Sequence, residues 1–223
     1  MRYYPVFLDL RGKNCLVVGG GQVAWRKIKR LLACGAKVFV VARELLPELE
    51  EAVKEGQVSY LGPEYKSEYL KDIFLLIGAT DDEALNLRLS QEANAANILC
   101  NIVDQPEKCN FIVPSVVERG DLIIAISTSG KSPALARKLR LELEKQFGEE
   151  YAIFLKLLGQ VREVLKKRIE GQKRRQEILE KLVYSELLKE IRNKNWEKVQ
   201  KLLKEILGEQ FRAEILSHCF FSP

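Results

Sequence analysis

Histidine is nearly absent from this 223-residue chain: the single one, His218, stands near the C-terminus. Any mechanism that needs an imidazole base or ligand in the body of the protein is therefore excluded. None of the five cysteines belongs to a CxxC pair, so no metal site is expected. Cys15, Cys34 and Cys100 fall in apolar stretches, where a free thiol behaves as a small hydrophobe, while Cys109 and Cys219 stand alone. No apolar run approaches the roughly 20 residues needed to cross a bilayer. The opening MRYYPVFLDLRGKN has no long apolar segment and no small-residue cleavage site. No secretion signal is expected, and the expected compartment is the cytoplasm.

What remains is an ordinary soluble composition, 47% hydrophobic and 30% charged with a mean hydropathy of -0.14, long enough for one large or two small domains. The net charge of +5 is unevenly placed. Residues 151–223 hold 16 Lys and Arg against 10 Glu, whereas the first 150 hold 20 basic against 21 acidic residues. A basic tail suits nucleic acid, an acidic ligand or a solvated helical face. Aromatics rarely interleave with its basic residues, and no nucleic-acid motif is recognisable.

The segment Lys13–Val41 carries the strongest signal. The apolar run Cys15–Val18 leads into Gly19-Gly20-Gly21, after which Val23, Ile28, Leu31 and Leu32 recur at helical spacing before a second apolar run. Strand, glycine turn, helix and strand make the unit that seats a dinucleotide pyrophosphate on a helix N-terminus. Gly19 permits the tight turn, Gly21 lets a phosphate approach bare backbone, and Ala24 keeps the helix close to the sheet. Free N–H groups at Gly20, Gln22 and Val23 complete the candidate cofactor seat. A glycine turn in some other α/β protein is the competing reading.

Strands alternate with helices further on: Gln57–Leu61, the doubly apolar run Ile73–Ala79, a helix through Asn97 capped within Thr80-Asp81-Asp82, Ile98–Val103, and a short Phe111–Val113. This predicts an α/β fold, a doubly wound parallel sheet of Rossmann type. From Pro114 the pattern changes to Val116–Glu118, a turn at Arg119–Asp121, the strand Leu122–Ser127, the polar loop Thr128–Ser132 and a helix from Pro133. The last third reads as three amphipathic helices, broken at Gly171 and at Asn193–Asn195 with Asn195 as an N-cap.

Four blocks, GGGQVAWRK, ATDDEALN, NIVDQPEKCNFIVPS and ISTSGKSPALARKLR, stand in this order at these spacings. Together they resemble the precorrin-2 dehydrogenase portion of siroheme synthases, closely over residues 1–150 and only in general character beyond. The resemblance implies NAD-dependent oxidation of precorrin-2 to sirohydrochlorin, and in some members insertion of Fe²⁺ to give siroheme. It implies an NAD-binding domain over 1–113, a small α+β segment over 114–150 that forms a homodimer, and an all-helical domain over 151–223 that completes the substrate cleft. Nucleic acid and membrane are not expected partners.

Asp104 matches the aspartate regarded as catalytic in this family, and follows a strand at its carboxyl end. A carboxylate there can take the proton lost as hydride leaves the substrate; the alternative is a cap on the turn before Pro106. Thr128, Ser129, Gly130, Lys131 and Ser132 form a natural seat for a carboxylate, and the implied substrate is ringed with acetate and propionate arms. Ser132 as a plain N-cap is the competing reading. Thr80 is expected at the cofactor crevice and Asp81 as a cap. Glu44 on the ribose favours NAD, whereas Arg43 facing a 2′-phosphate favours NADP. Trp25 suits packing better than contact with a macrocycle. The lack of histidine weakens the expectation of chelation. An NAD-sensing regulatory module with a basic tail, and a carrier of sirohydrochlorin, are the alternatives to an enzyme.

Overall fold

The computed structural model describes residues 3–208, so His218 and Cys219 lie outside the described residues. The chain forms two compact units that meet in sequence at Val113 and Pro114.

The first unit is a five-stranded sheet of β1 (Asn14–Val18), β2 (Lys37–Val41), β3 (Val58–Gly62), β4 (Leu75–Gly78) and β5 (Leu99–Ile102). Its order is β3-β2-β1-β4-β5 and every pairing is parallel. The strands are joined by α1 (Gln22–Ala33), α2 (Pro47–Lys54) and α3 (Glu83–Ala95). Both faces of the sheet are covered, which is why its strands read as continuous apolar runs. Cys15 and Val17 of β1 pack with Ala24, Ile28 and Leu31 of α1 and Leu49 of α2, whereas Leu16 and Val18 pack with Leu89 and Ala93 of α3. The doubly wound, Rossmann-type parallel sheet expected from the sequence is the fold observed.

In the second unit, β6 (Ser115–Arg119) and β7 (Leu122–Ile126) form an antiparallel hairpin, followed by α4 (Pro133–Gln146). Beyond it, α5 (Glu150–Arg168), α6 (Gln172–Val183), α7 (Leu187–Arg192) and α8 (Trp196–Leu207) bury one apolar cluster that includes Phe154, Leu157, Leu165, Leu182, Ile191 and Leu203.

Several local expectations are corrected. The tail holds four described helices rather than three, because Ser185 divides the second apolar set: its hydroxyl donates to Leu182 O at 2.7 Å and accepts from Leu187 N at 3.2 Å. Such side-chain bonds compete with the helical ladder. Asn195 does cap α8, accepting from Lys198 N. Phe111–Val113 is not a strand; the Phe111 carbonyl is taken by the Asn101 side chain at 3.2 Å instead of a ladder partner. The cap of α3 is Asp82, which accepts from Leu85 N at 2.9 Å, and not Asp81. Val23 is exposed, since Ala24, Ile28 and Leu31 form the inward face of α1. Cys34, at the end of that helix, is exposed too. Trp25 is half-buried against the core, with the Lys29 amine 5.5 Å from its ring centroid. No helix among the described residues is long and apolar enough to cross a membrane.

Thiol reactivity reports this packing. Burial pushes the Cys15 thiol up to about 11 and the Cys100 thiol up to about 12. A brief pulse of alkylating reagent at about pH 8, where exposed thiols react, labels Cys34 and spares Cys15 and Cys100. Peptide mass mapping reads the result; rapid labelling of Cys100 contradicts the seat of α3 on the sheet.

Candidate active site

In the first unit, β1 has β2 on one side and β4 on the other, so the chain leaves its carboxyl end in one direction and returns from the opposite one. Such a switch point opens a crevice beyond the strand ends. Three backbone bonds tie the neighbouring strand ends along this rim: Gly19 N to Val41 O (2.8 Å), Ala79 N to Val18 O (2.8 Å) and Val103 N to Gly78 O (2.9 Å). The glycine turn, Thr80 and Asp104 therefore follow one another across consecutive strand ends.

The three glycines do different work. Gly19 has φ +126°, and a Cβ there would run into the Ala79 carbonyl. A Cβ on Gly20 would strike the Glu44 carbonyl and the Ala42 methyl, and the Gly20 carbonyl accepts from Leu46 N at 3.0 Å. Both glycines are required by the protein itself. Gly21 is different: its φ is -85°, and beyond its own chain neighbours nothing described lies within 4 Å of where its Cβ would stand. Nothing in the chain demands glycine there, whereas a phosphate approaching bare backbone does. No side chain caps α1 and no acid stands in its first turn, so the N–H groups at Gln22 and Val23 face outward beside a positive dipole end. The residues present fit a dinucleotide pyrophosphate.

Arg43 and Glu44 follow β2 and are both exposed, with neither in an ion pair among the described residues. Thr80 is engaged within the protein. Its hydroxyl accepts from Asp82 N at 3.2 Å and lies 3.2 Å from Asn86 Oδ1, while the Asn86 amide donates to Thr80 O at 2.9 Å. Asn86 is buried on α3 and fixes the rim of the crevice. Sequence reading passed over it; its signal is an amide on the inward face of a helix, six residues past the threonine.

Asp104 is exposed, with φ +58°. Its carboxylate accepts no hydrogen bond among the described residues, so it does not cap the 3-10 turn Pro106–Lys108, which has no side-chain cap. The loop around it is braced by its neighbours. The Cys109 sulfur accepts from Ile102 N at 3.1 Å and lies 3.2 Å from the carbonyls of Ile102 and Gln105. Asn110 accepts from Cys100 N at 2.7 Å and donates to Ile98 O at 2.8 Å. Ser90 of α3 donates to Lys108 O at 2.7 Å. Cys109, Asn110 and Asn101 thus hold the loop, and Asp104 is the member left free. Lys27 of α1, not singled out in the sequence, is half-buried, and burial with the charges of Arg26 and Arg30 holds its amine below the ordinary lysine range, against the opposing pull of Asp104.

In the second unit, the loop before α4 is closed by Thr128, whose hydroxyl accepts from Ser132 N and donates to Ser132 O, each at 3.1 Å. Ser132 caps α4, accepting from Leu135 N at 3.2 Å. Ser129 and Gly130 have φ of +54° and +80°, and together with Lys131 they are exposed.

Residues 6–115 match a family model described as putative NAD(P)-binding, and residues 119–146 match one described as the sirohaem biosynthesis protein central region. The siroheme synthase of Photobacterium profundum is 41% identical over 182 residues, 82% of this chain and 39% of the relative. Siroheme synthase 1 of Serratia proteamaculans is 38% identical over 211 residues, 95% of this chain and 44% of the relative. Over most of its length the chain is thus similar to proteins named siroheme synthase. The chain spans less than half the length of these relatives. Among solved structures, one titled SirC, precorrin-2 dehydrogenase, superposes with a TM-score of 0.76 at 29% identity, covering 92% of this chain and 98% of that one.

The glycines separate fold from ligand experimentally. Gly20→Ala costs about 1–3 kcal/mol, the range for overpacking. Gly21→Ala costs at most about 1 kcal/mol as a cap change, yet lowers dinucleotide affinity. Thermal melting and a dinucleotide titration of both variants check this; a Gly21→Ala protein that binds NAD like the parent contradicts the assigned seat.

Proposed function

We propose that this chain is an NAD-dependent dehydrogenase that converts precorrin-2 to sirohydrochlorin in siroheme biosynthesis, with Asp104 as its base. The observation that carries the reading is the Asp104 carboxylate: solvent-facing, free of hydrogen bonds among the described residues, and held by a cross-braced loop on the same rim as the glycine turn. The close structural likeness to a protein titled precorrin-2 dehydrogenase supports it.

Oxidation removes a hydride and a proton from the macrocycle. Bound nicotinamide supplies the hydride acceptor. Backbone at Gly19, Gly20 and Gly21 and the N–H groups at Gln22 and Val23 orient its pyrophosphate, with Ala24 holding α1 close to the sheet. Glu44 takes the adenosine ribose hydroxyls, which favours NAD, and Arg43 turns to solvent. Thr80 keeps the crevice rim in shape through Asn86. Asp104 accepts the proton, standing at the strand-end rim with no hydrogen-bond donor on its carboxylate among the described residues.

In the second unit, Thr128 and Ser132 hold the loop that offers Ser129, Gly130 and Lys131 to a substrate carboxylate. The segment of residues 114–150, whose hairpin carries Ile123 at 45% exposure, is read as the homodimer segment. Free thiols at Cys15, Cys34, Cys100 and Cys109 suit a reducing cytoplasm. Insertion of Fe²⁺, as a second substrate, is read as weak or absent, because the single histidine of the sequence stands near the C-terminus and Asp104 would have to carry most of that chemistry.

Incubation of the purified chain with precorrin-2 and NAD, followed by absorbance, tests the reading. Asp104→Asn lowers turnover at least about a hundredfold, the usual weight of a general base, while NAD binding is retained. NAD binding without any oxidation by the parent protein favours the regulatory module instead. Addition of Fe²⁺ to preformed sirohydrochlorin without NAD leaves the spectrum nearly unchanged; rapid siroheme formation contradicts the weak-chelation reading.

A further inference from the structure

Three of the four pairings in the parallel sheet keep their register, and the one between β2 and β3 does not. Val40 stands opposite Tyr60, but Val41 stands opposite Gly62, so Leu61 is an extra residue at the carboxyl end of β3. Such bulges are rare between parallel strands, and they collect beside functional sites, where they re-aim a side chain. Two phenols meet backbone here. Tyr69 donates to the carbonyl of the extra residue, Leu61 O, at 3.0 Å. Tyr60 donates to Ala42 O at 2.9 Å, and its side chain stays 40% exposed.

Ala42 is the first residue past β2, and β3 holds both of its backbone groups: its amide donates to Gly62 O at 3.2 Å, and its carbonyl accepts from Tyr60. The direction in which the chain leaves β2 is thereby fixed. Arg43 and Glu44 follow, both exposed, with the Glu44 carbonyl packed against Gly20; Leu46 N then donates to Gly20 O at 3.0 Å. Among the described residues, Tyr60 is the one side chain that bonds to the backbone of residues 42–46. A bulge also blunts an edge strand, and β3 is an edge. That purpose is served equally by Tyr69, whereas Tyr60 alone reaches the turn that presents Glu44 beside the glycine turn.

We infer that Tyr60 is a positioning residue for the dinucleotide: by clasping Ala42 it sets Glu44 against the adenosine ribose, and so fixes the preference for NAD over NADP. This rests on the proposed role of Glu44 at the ribose. A carboxylate held in one place accepts from the ribose hydroxyls and repels a 2′-phosphate at the same point, so one constraint supplies both attraction and rejection. Without the Tyr60 hydroxyl the turn can shift. Glu44 then loses its grip on the ribose, and the neighbouring Arg43 is free to meet a phosphate.

The test compares Tyr60→Phe, Tyr69→Phe, Glu44→Ala and the double variant Tyr60→Phe/Glu44→Ala with the parent protein. Calorimetric titration gives Kd for NAD and for NADP, and thermal melting reports the fold. Tyr60→Phe raises the NAD Kd about fivefold, the weight of one neutral hydrogen bond, and leaves the NADP Kd unchanged or lower. Tyr69→Phe, which removes a hydroxyl from the same bulge, changes either Kd by less than about twofold. In the Glu44→Ala background, Tyr60→Phe changes the NAD Kd by less than about twofold, because the two residues act as one unit. Equal weakening of NAD and NADP by Tyr60→Phe overturns the proposal, as does an unchanged NAD Kd. So does the same change of preference in Tyr69→Phe, which makes the bulge a matter of strand-edge structure alone, or full additivity of Tyr60→Phe with Glu44→Ala. A parent protein that binds NAD and NADP equally overturns it together with the ribose role of Glu44. Every titration is run without tetrapyrrole, so a failure to oxidise precorrin-2 counts against the dehydrogenase reading alone.

Discussion

The close approach of the β1 and β4 strand ends governs the first unit. Gly19 lies directly against the Ala79 carbonyl, and Ala79 in turn bonds back to Val18. That contact leaves no room for a side chain, and it aligns the start of α1 with the turn that carries Thr80. From the same β4 end, Gly78 receives the Val103 amide, which fixes where β5 stops and where Asp104 begins. One stretch of bare backbone thereby aligns an anion seat, a crevice rim and a carboxylate. Each step is a backbone contact or hydrogen bond between the ends of adjacent parallel strands, so the positions are set by sheet geometry and not by long flexible side chains.

Much of this was legible in the amino-acid sequence because the physics is local. A buried parallel strand needs an apolar run, and the runs at Cys15–Val18 and Leu75–Gly78 can be read without a partner in view. The glycine turn and Ala24 are equally local. Asp104 could be placed at a strand end, but whether it caps the next turn depends on which donors face it, and no spacing rule reveals that. The same holds for the block NIVDQPEKCNFIVPS, whose Asn101, Cys109 and Asn110 brace a loop through contacts spanning up to a dozen residues. Lys27 was illegible for a related reason: a lysine one place after an arginine and two before another lysine reads as part of a solvated helical face until the packing of α1 shows how much of it is covered.

Misreadings in the tail have a simple physical source. Apolar spacing continues almost without interruption from Ile178 to Ile191, so periodicity alone predicts one helix. A single serine hydroxyl that takes the Leu182 carbonyl and then the Leu187 amide ends one helix and starts the next. In the polar loop before α4, by contrast, both readings of the sequence coexist. Ser132 spends its hydroxyl on the cap and Thr128 closes the loop, which leaves the side chains of Ser129 and Lys131 exposed although their amides bond to Ser127 Oγ and Thr128 O.

The unequal burden on Gly19, Gly20 and Gly21 bears on how such fingerprints decay through evolution. The first two are pinned by steric exclusion and persist in any descendant that keeps the sheet, whatever it has ceased to bind. Only the third is answerable to an external molecule. A paralogue that abandoned its coenzyme would therefore drift at the third glycine first, still presenting a plausible-looking motif to anyone counting glycines.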